Sequence, residues 1–251
     1  MLPVIVNGDL LPGALEIKQR AVADENDAFF LQQLPDFRIG REQPVFWIDA
    51  PCDRRRESLL WRLRHTVMVD QREKWNQKYR QRTGDPQGPD PFLVEVLRWL
   101  RPGSVLDLAC GDGRNSLYLA GHGHAVTGID IAEVGLARLR SAADDRTLVI
   151  TTLQTDLEAP DLHADWGPFD NVLIFNYKPS ERLLASVPSL MKKGGTFVFC
   201  TFNQKNRDTF NPAFSLKPAA YKTGLKHFEL VYYAEPLLDG KHRDGYVFRK
   251  V

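Results

Sequence analysis

The stretch Val105-Leu-Asp-Leu-Ala-Cys-Gly-Asp-Gly-Arg-Asn-Ser-Leu-Tyr-Leu-Ala120 decides the fold. Residues 104–108 form a short apolar run that reads as a strand. Two glycines, Gly111 and Gly113, follow at once, and a helix with apolar spacing opens near Asn115. Glycine lets the chain turn sharply and lets a ligand come close to the backbone. A strand that feeds a helix through a glycine loop is the entry to a crossover unit. The rest of the chain continues the pattern. Upstream, Phe92 to Leu100 has helical spacing and stops at Arg101-Pro-Gly103. Downstream, strands are expected at Ala125–Asp130, Leu148–Thr151, Asn171–Phe175 and Thr196–Thr201. Helices are expected at Glu133–Ala142 and Glu181–Met191. Short apolar strands alternating with amphipathic helices predict an α/β fold with a mostly parallel sheet covered on both faces. The tail departs from this. Phe228–Ala234 and Tyr246–Lys250 flank a polar segment, Asp239-Gly-Lys-His-Arg-Asp-Gly245, and read as a hairpin with a solvated turn.

In an open parallel sheet a ligand sits beyond the carboxyl ends of the strands. A dinucleotide would lay its pyrophosphate on the glycine loop, but Gly111-Asp-Gly-Arg-Asn-Ser116 has serine where the third glycine of that fingerprint belongs. Asp107 and Asp112 also bracket the loop, and carboxylates repel phosphate. S-adenosyl-L-methionine brings an ammonium, a sulfonium and no phosphate, so this charge pattern favours it. Asp130, at the end of the second strand, is placed to accept from both ribose hydroxyls, and Asp156 from the exocyclic amine of adenine.

At these residues the chain resembles the class I methyltransferases, and it is similar within them to the tellurite-resistance (TehB-like) enzymes. The resemblance runs through Gly113-Arg-Asn-Ser-Leu-Tyr-Leu-Ala120, Trp75-Asn-Gln-Lys-Tyr-Arg80, Ala213-Phe-Ser-Leu-Lys-Pro218 and His242-Arg243, and covers residues 73–251. It implies a Rossmann-like fold with a seven-stranded, mostly parallel sheet and an antiparallel C-terminal hairpin. The expected cofactor is S-adenosyl-L-methionine and the expected partner a small-molecule substrate. Candidate cofactor contacts are Trp75, Asp107, Ala109, Cys110, Gly111, Asp112, Gly113, Asn115, Asp130, Ile131, Asp156, Leu157 and Asn176. Tyr177, after the fourth strand, and His242 with Arg243 in the tail are the candidates for the acceptor side. Asn176-Tyr177 is followed by Lys178-Pro179, unlike the Asn-Pro-Pro-Tyr signature of amide and adenine methyltransferases. Trp75 and Tyr79 lie four apart on one helical face, placed either to pack against the sheet or to form a lid.

With 33 basic and 32 acidic side chains, the protein has no strong field to hold a polyanion, which disfavours nucleic acid as partner. No run approaches the roughly 20 apolar residues of a membrane span. The start lacks a secretory signal, and three scattered cysteines (Cys52, Cys110 and Cys200) make neither a disulfide framework nor a zinc site, so a cytoplasmic location is expected. Residues 1–70 are expected to form a small, separate α/β segment, with strands at Pro3–Val6 and Val45–Asp49 and a helix at Arg55–Arg64. Residues 71–251 are expected to form the cofactor-binding domain. The N-terminal part is faintly similar to a rhodanese-like module. It departs where that family keeps its nucleophilic cysteine: the position falls near Asp49, and Cys52 comes too late. Two rival readings stay open: a non-catalytic protein that binds the same nucleoside for regulation, and an NAD-dependent oxidoreductase.

Overall fold

The computed structural model describes residues 5–6, 9–10, 71–159, 166–206 and 214–251. The chain divides into two units, Met1–Val67 and Met68–Val251. In the first, β1 (Ile5–Val6) pairs antiparallel with β2 (Asp9–Leu10). The strand and helix expected at 45–49 and 55–64, and with them the rhodanese-like features, lie outside the described residues.

The second unit opens with a helix at 71–80, α1, and continues with α2 (Pro91–Val96), which tightens into a 3-10 turn at Leu97–Trp99. The alternation follows: β3 (Ser104–Leu108), α3 (Arg114–Gly121), β4 (Ala125–Asp130), α4 (Glu133–Asp144), β5 (Ile150–Gln154), β6 (Phe169–Phe175), α5 (Glu181–Ser186) and β7 (Met191–Phe202). β8 (Phe228–Ala234), β9 (Leu237–Leu238) and β10 (Lys241–Lys250) close the sheet. Strand order is β5-β4-β3-β6-β7-β10-β8, with β9 on the end of β10. β3 to β7 are mutually parallel, and β10 runs antiparallel to β7 and β8. The expected seven-stranded, mostly parallel sheet with an antiparallel C-terminal pair is therefore present, with the short β9 as an addition.

Neighbouring residues along the central strands are buried on opposite faces. Leu106, Leu108, Val172, Ile174, Phe197 and Phe199 pack on one side, and Val105, Leu173, Phe175, Val198 and Cys200 on the other. Covering both faces is why these strands read as unbroken apolar runs. The chain builds outward from β3 through β4 to β5, then crosses back to β6 and β7, so the strand order reverses between β3 and β6. The crevice beyond the carboxyl ends of those two strands is where an open sheet of this kind takes its ligand.

Of the boundaries that differ from the sequence expectation, three have a local reason. The strand expected at Leu148–Thr151 is shifted to Ile150–Gln154, because the Leu148 amide turns back to the Ala143 carbonyl and closes α4, with Thr147 at φ 55°. The helix expected to reach Met191 ends at Ser186 and passes into a 3-10 turn carrying Pro188, after which Met191 already belongs to β7. In the tail, the solvated turn expected over Asp239–Gly245 contracts, and β10 starts at Lys241. Arg243 and Asp244 are wholly buried there, because each finds buried hydrogen-bond partners.

Candidate functional site

Three left-handed residues, Ala109 (φ 58°), Gly111 (φ 61°) and Gly113 (φ 84°), turn the chain out of β3 and into α3. Left-handed backbone costs a residue with a Cβ about 1 kcal/mol, and such strain clusters at ligand sites. A Cβ on Gly111 would collide with the Tyr79 hydroxyl, and one on Gly113 with the Leu139 side chain. Both glycines are therefore required by close approach as well as by backbone angle. The loop is tied to β4 through the Cys110 amide, which donates to the Ile129 carbonyl at 3.0 Å, and the Gly113 carbonyl accepts the first helical bond from the Leu117 amide at 2.8 Å.

Asp130 lies at the centre of the site. One carboxylate oxygen accepts from the Gly111 amide and the other from the Ala132 amide, both at 2.8 Å. Burial pushes its pKa up, and the backbone N–H groups it accepts from act against that rise. At the end of β5, Asp156 forms a local turn by accepting from the Glu158 amide at 2.9 Å, which engages one oxygen. Leu157 beside it is core, and the Ile131 carbonyl accepts from Gln154 Nε2 at 3.3 Å.

The two acids that bracket the loop are both engaged by the protein itself. Asp107 is buried and accepts from Ser116 Oγ at 2.6 Å. Burial lifts its carboxyl to about 7, with the Ser116 bond pulling down and the nearby Asp130 pushing up. Asp112 turns into an ion pair with Arg82 at 2.7 Å, with Arg138 Nε at 3.7 Å on the same oxygen. The two acids expected to bracket the loop are therefore both there and both engaged within the protein. One acid is poised near neutrality, and the other is already matched by arginine.

The raised Asp107 value has a signed consequence. An ordinary aspartate titrates near 3.9 in the unfolded chain, so its neutral form is favoured on folding. That contribution is complete below about pH 4 and is lost as pH rises to about 7, up to about 4 kcal/mol in all. A cation binding beside Asp107 would pull its value back down and release a proton. We expect calorimetry at pH 6 in buffers of different ionisation enthalpy to show proton release when S-adenosylmethionine binds. Affinity should rise with pH through about 7, and Asp107→Asn should abolish both effects. A buffer-independent heat in the parent protein would contradict this.

α1 lies against this loop. Asn76 accepts from the Val134 amide at the start of α4 at 3.0 Å, and Tyr79 is buried over Gly111. Burial together with Asp130 and Asp112 raises the Tyr79 phenol far above its usual range. Trp75 stacks on Tyr79 with ring centroids 6.2 Å apart, and the Lys78 ammonium lies 4.4 Å from the Trp75 ring. Tyr79 therefore covers Gly111 and Trp75 packs on it, an arrangement that suits both the packing and the lid readings.

On the other bank of the crevice, Asn176 follows β6 in the left-handed conformation (φ 54°), with its amide donating to the Cys200 carbonyl at 2.8 Å. Tyr177 follows, with its phenol near Asp156 and Asp130 as well as Glu158. Its hydroxyl donates to Glu158 at 2.8 Å, and burial with the Glu158 charge holds the phenol well above its ordinary value. His242 is exposed, and its backbone is bound by Asn206. Arg243 is wholly buried and doubly bonded to Asp90, at 2.7 and 3.1 Å. Asn115 Oδ1 accepts from the Asp90 amide at 2.9 Å, so this candidate cofactor contact serves to anchor the segment before α2.

Asp90 is the functional-site neighbour that sequence reasoning missed. The signal was local: an aspartate before a proline at the first position of an apolar helix is an N-cap. It accepts from the Phe92 amide at 3.0 Å. Among the described residues no group of three metal-ligating side chains occurs, and no helix is long and apolar enough to cross a membrane.

Residues 105–195 match the family model described as a methyltransferase domain. That match runs from β3 to the start of β7, the parallel, Rossmann-like part of the sheet. Among its relatives is the probable S-adenosyl-L-methionine-dependent methyltransferase TehB of Haemophilus influenzae, 34% identical over 100 residues, which are 40% of this chain and 34% of the relative. Another is the ubiquinone biosynthesis O-methyltransferase of Coxiella burnetii, 32% identical over 115 residues, which are 44% of this chain and 48% of that one. The chain thus matches between a third and a half of the length of these relatives. In fold it is similar to the crystal structure of TehB from H. influenzae, with a TM-score of 0.55 and 21% identity over 72% of this chain and 67% of that one. It is also similar to magnesium protoporphyrin IX methyltransferase (ChlM) from Synechocystis, determined with bound S-adenosylmethionine, with a TM-score of 0.56 and 21% identity over 73% and 97% of the two chains.

Proposed function

We propose that this protein is an S-adenosyl-L-methionine-dependent methyltransferase acting on a small molecule, with residues 71–251 as its catalytic domain. The observation that carries the reading is Asp130: a buried carboxylate at the switch crevice, fixed by the Gly111 and Ala132 amides. That donor set fits the cofactor. Asp130 would accept from the ribose hydroxyls, the free Asp156 oxygen from the adenine amine, and Asp107 would balance the ammonium. α1 with Trp75 and Tyr79 would cover the loop and exclude water. When bound, the cofactor supplies an electrophilic methyl group on a sulfonium whose charge disperses as the bond breaks.

The work left to the protein is alignment, which can be worth an effective molarity on the order of 10⁵ M or more. Of the three acceptor-side candidates, none is a ready base. Tyr177 is held protonated by burial and Glu158, Arg243 is committed to Asp90, and His242 is solvent-exposed. The reading therefore favours a soft nucleophile, of thiol, selenite or tellurite type, which needs no proton removed at neutral pH or loses it to water. Transfer of labelled methyl from S-adenosylmethionine to thiols, selenite and phenols tests the activity. No transfer to any of these by protein that binds the donor would favour the regulatory-binding alternative.

A further inference from the structure

The orientation of one amide is fixed by a buried ion pair. Arg243 Nη1 donates to Asn176 Oδ1 at 3.3 Å, and the same guanidinium is doubly bonded to Asp90 behind it. Asp90 is itself immobilised: its carboxylate caps α2 through the Phe92 amide at 3.0 Å, and its own amide is bound by Asn115 at 2.9 Å. A guanidinium carries N–H donors and no lone pair. Asn176 can therefore meet it only with its oxygen, and the amide NH₂ is what remains. That NH₂ has no partner among the described residues, and Asn176 is half-buried at the mouth of the crevice, one residue beyond β6. A wholly buried ion pair is weak evidence for stability, since its desolvation offsets its attraction. A role in fixing the polarity of a neighbouring group accounts for it better.

We propose that Asp90 and Arg243 are positioning residues that turn the Asn176 NH₂ toward the methyl acceptor, so that the acceptor group offers a lone pair, as a thiolate, phenolate or oxyanion does, and not the N–H of an amine. The inference rests on the methyl-transfer reading above. In the reaction, the acceptor lone pair forms the new bond to the methyl carbon while the carbon–sulfur pair stays on sulfur. An anionic acceptor ends neutral, and no proton has to leave. An amine would bring its N–H groups against the Asn176 NH₂, donor facing donor, and would then need a base.

Thiophenol and aniline, which share one ring, test this in the full-length protein. S-adenosylhomocysteine formation gives kcat and KM for each, and calorimetry gives S-adenosylhomocysteine affinity separately. The parent protein should methylate thiophenol. In Asn176→Asp the carboxylate still satisfies Arg243 but offers acceptors in place of donors. The thiophenol-to-aniline ratio of kcat/KM, in which any change in donor affinity cancels, should fall by about tenfold or more, the scale of one hydrogen bond at the reacting group. Asn176→Ala should lower thiophenol turnover without raising that of aniline, and it serves if the aspartate variant does not fold. An unchanged ratio in Asn176→Asp, unchanged thiophenol turnover in Asn176→Ala, or a donor-binding parent protein that methylates neither probe or prefers aniline, overturns the proposal. Failure of the parent protein to bind S-adenosylhomocysteine would instead remove the methyl-transfer reading itself.

Discussion

Asp130→Ala should lower affinity for S-adenosylhomocysteine by about a hundredfold, since two hydrogen bonds to a charged acceptor are lost at once. The effect has two sources. The carboxylate that would take the ribose hydroxyls is gone, and the Gly111 amide loses its 2.8 Å partner, so the loop loses the bond that sets its closest approach to the ligand. The Ala132 amide ahead of α4 is freed as well. Part of the loss will therefore appear as reduced stability, on the order of 1–3 kcal/mol for buried donors left unpaired. Isothermal calorimetry on folded variant, checked by circular dichroism, separates the two. Affinity equal to that of the parent protein would remove Asp130 from the site.

The largest stability effect should come from Asp90→Asn. Asparagine still caps α2, so the change isolates the charge. It leaves the wholly buried Arg243 without its counter-ion, and breaking one side of such a pair costs about 3–5 kcal/mol. For a chain of this size that is a fall in melting temperature of about 10 °C. Because Arg243 Nε already lacks a partner, there is little capacity nearby to absorb the loss. Arg243→Met in the same background should recover a large share, since removing both charges avoids the unpaired ion. A double-mutant cycle by chemical denaturation measures this. Additive losses in the double variant would show that the two residues are not coupled.

The sheet was legible in the sequence to the extent that both its faces are covered. β3, β4 and β6 are apolar runs bounded by glycine, proline and aspartate, and the glycine loop after β3 announces the crevice. The acids at the ends of β3 and β4 were equally visible, but what they touch was not. Asp107 finds Ser116 one helical turn into α3, and Asp112 finds Arg82 thirty residues upstream, so two apparent negative charges are largely spent inside the protein. The tail was misread because Lys241 to Asp244 are polar by composition. The burial of Arg243 and Asp244 depends on Asp90, 153 residues away from Arg243, and on Asn203 and Tyr233 beside Asp244. Pairings of that separation leave no periodicity to read. Asp90 itself sat in a segment dense in glycine and proline that reads as a loop, where its cap position before Pro91 was the one available sign.

The internal pairing of Asp107 and Asp112 also shifts the ground of the cofactor argument. Preference for a sulfonium nucleoside over a dinucleotide no longer rests on two open carboxylates. It rests on Asp107 held near its titration point and on the absence of a third glycine at Ser116, whose hydroxyl is engaged with Asp107, since an acid placed like Asp130 suits the ribose of either cofactor. A pyrophosphate brought to this loop would meet Asp107 and Asp130, while Arg82 and Arg138 beside it are already paired with Asp112.

Equilibrium titration of the full-length protein with S-adenosylhomocysteine and, separately, with NADH tests that preference directly. Saturable binding of S-adenosylhomocysteine with no detectable uptake of NADH is the predicted result. Uptake of NADH with none of S-adenosylhomocysteine would contradict the account.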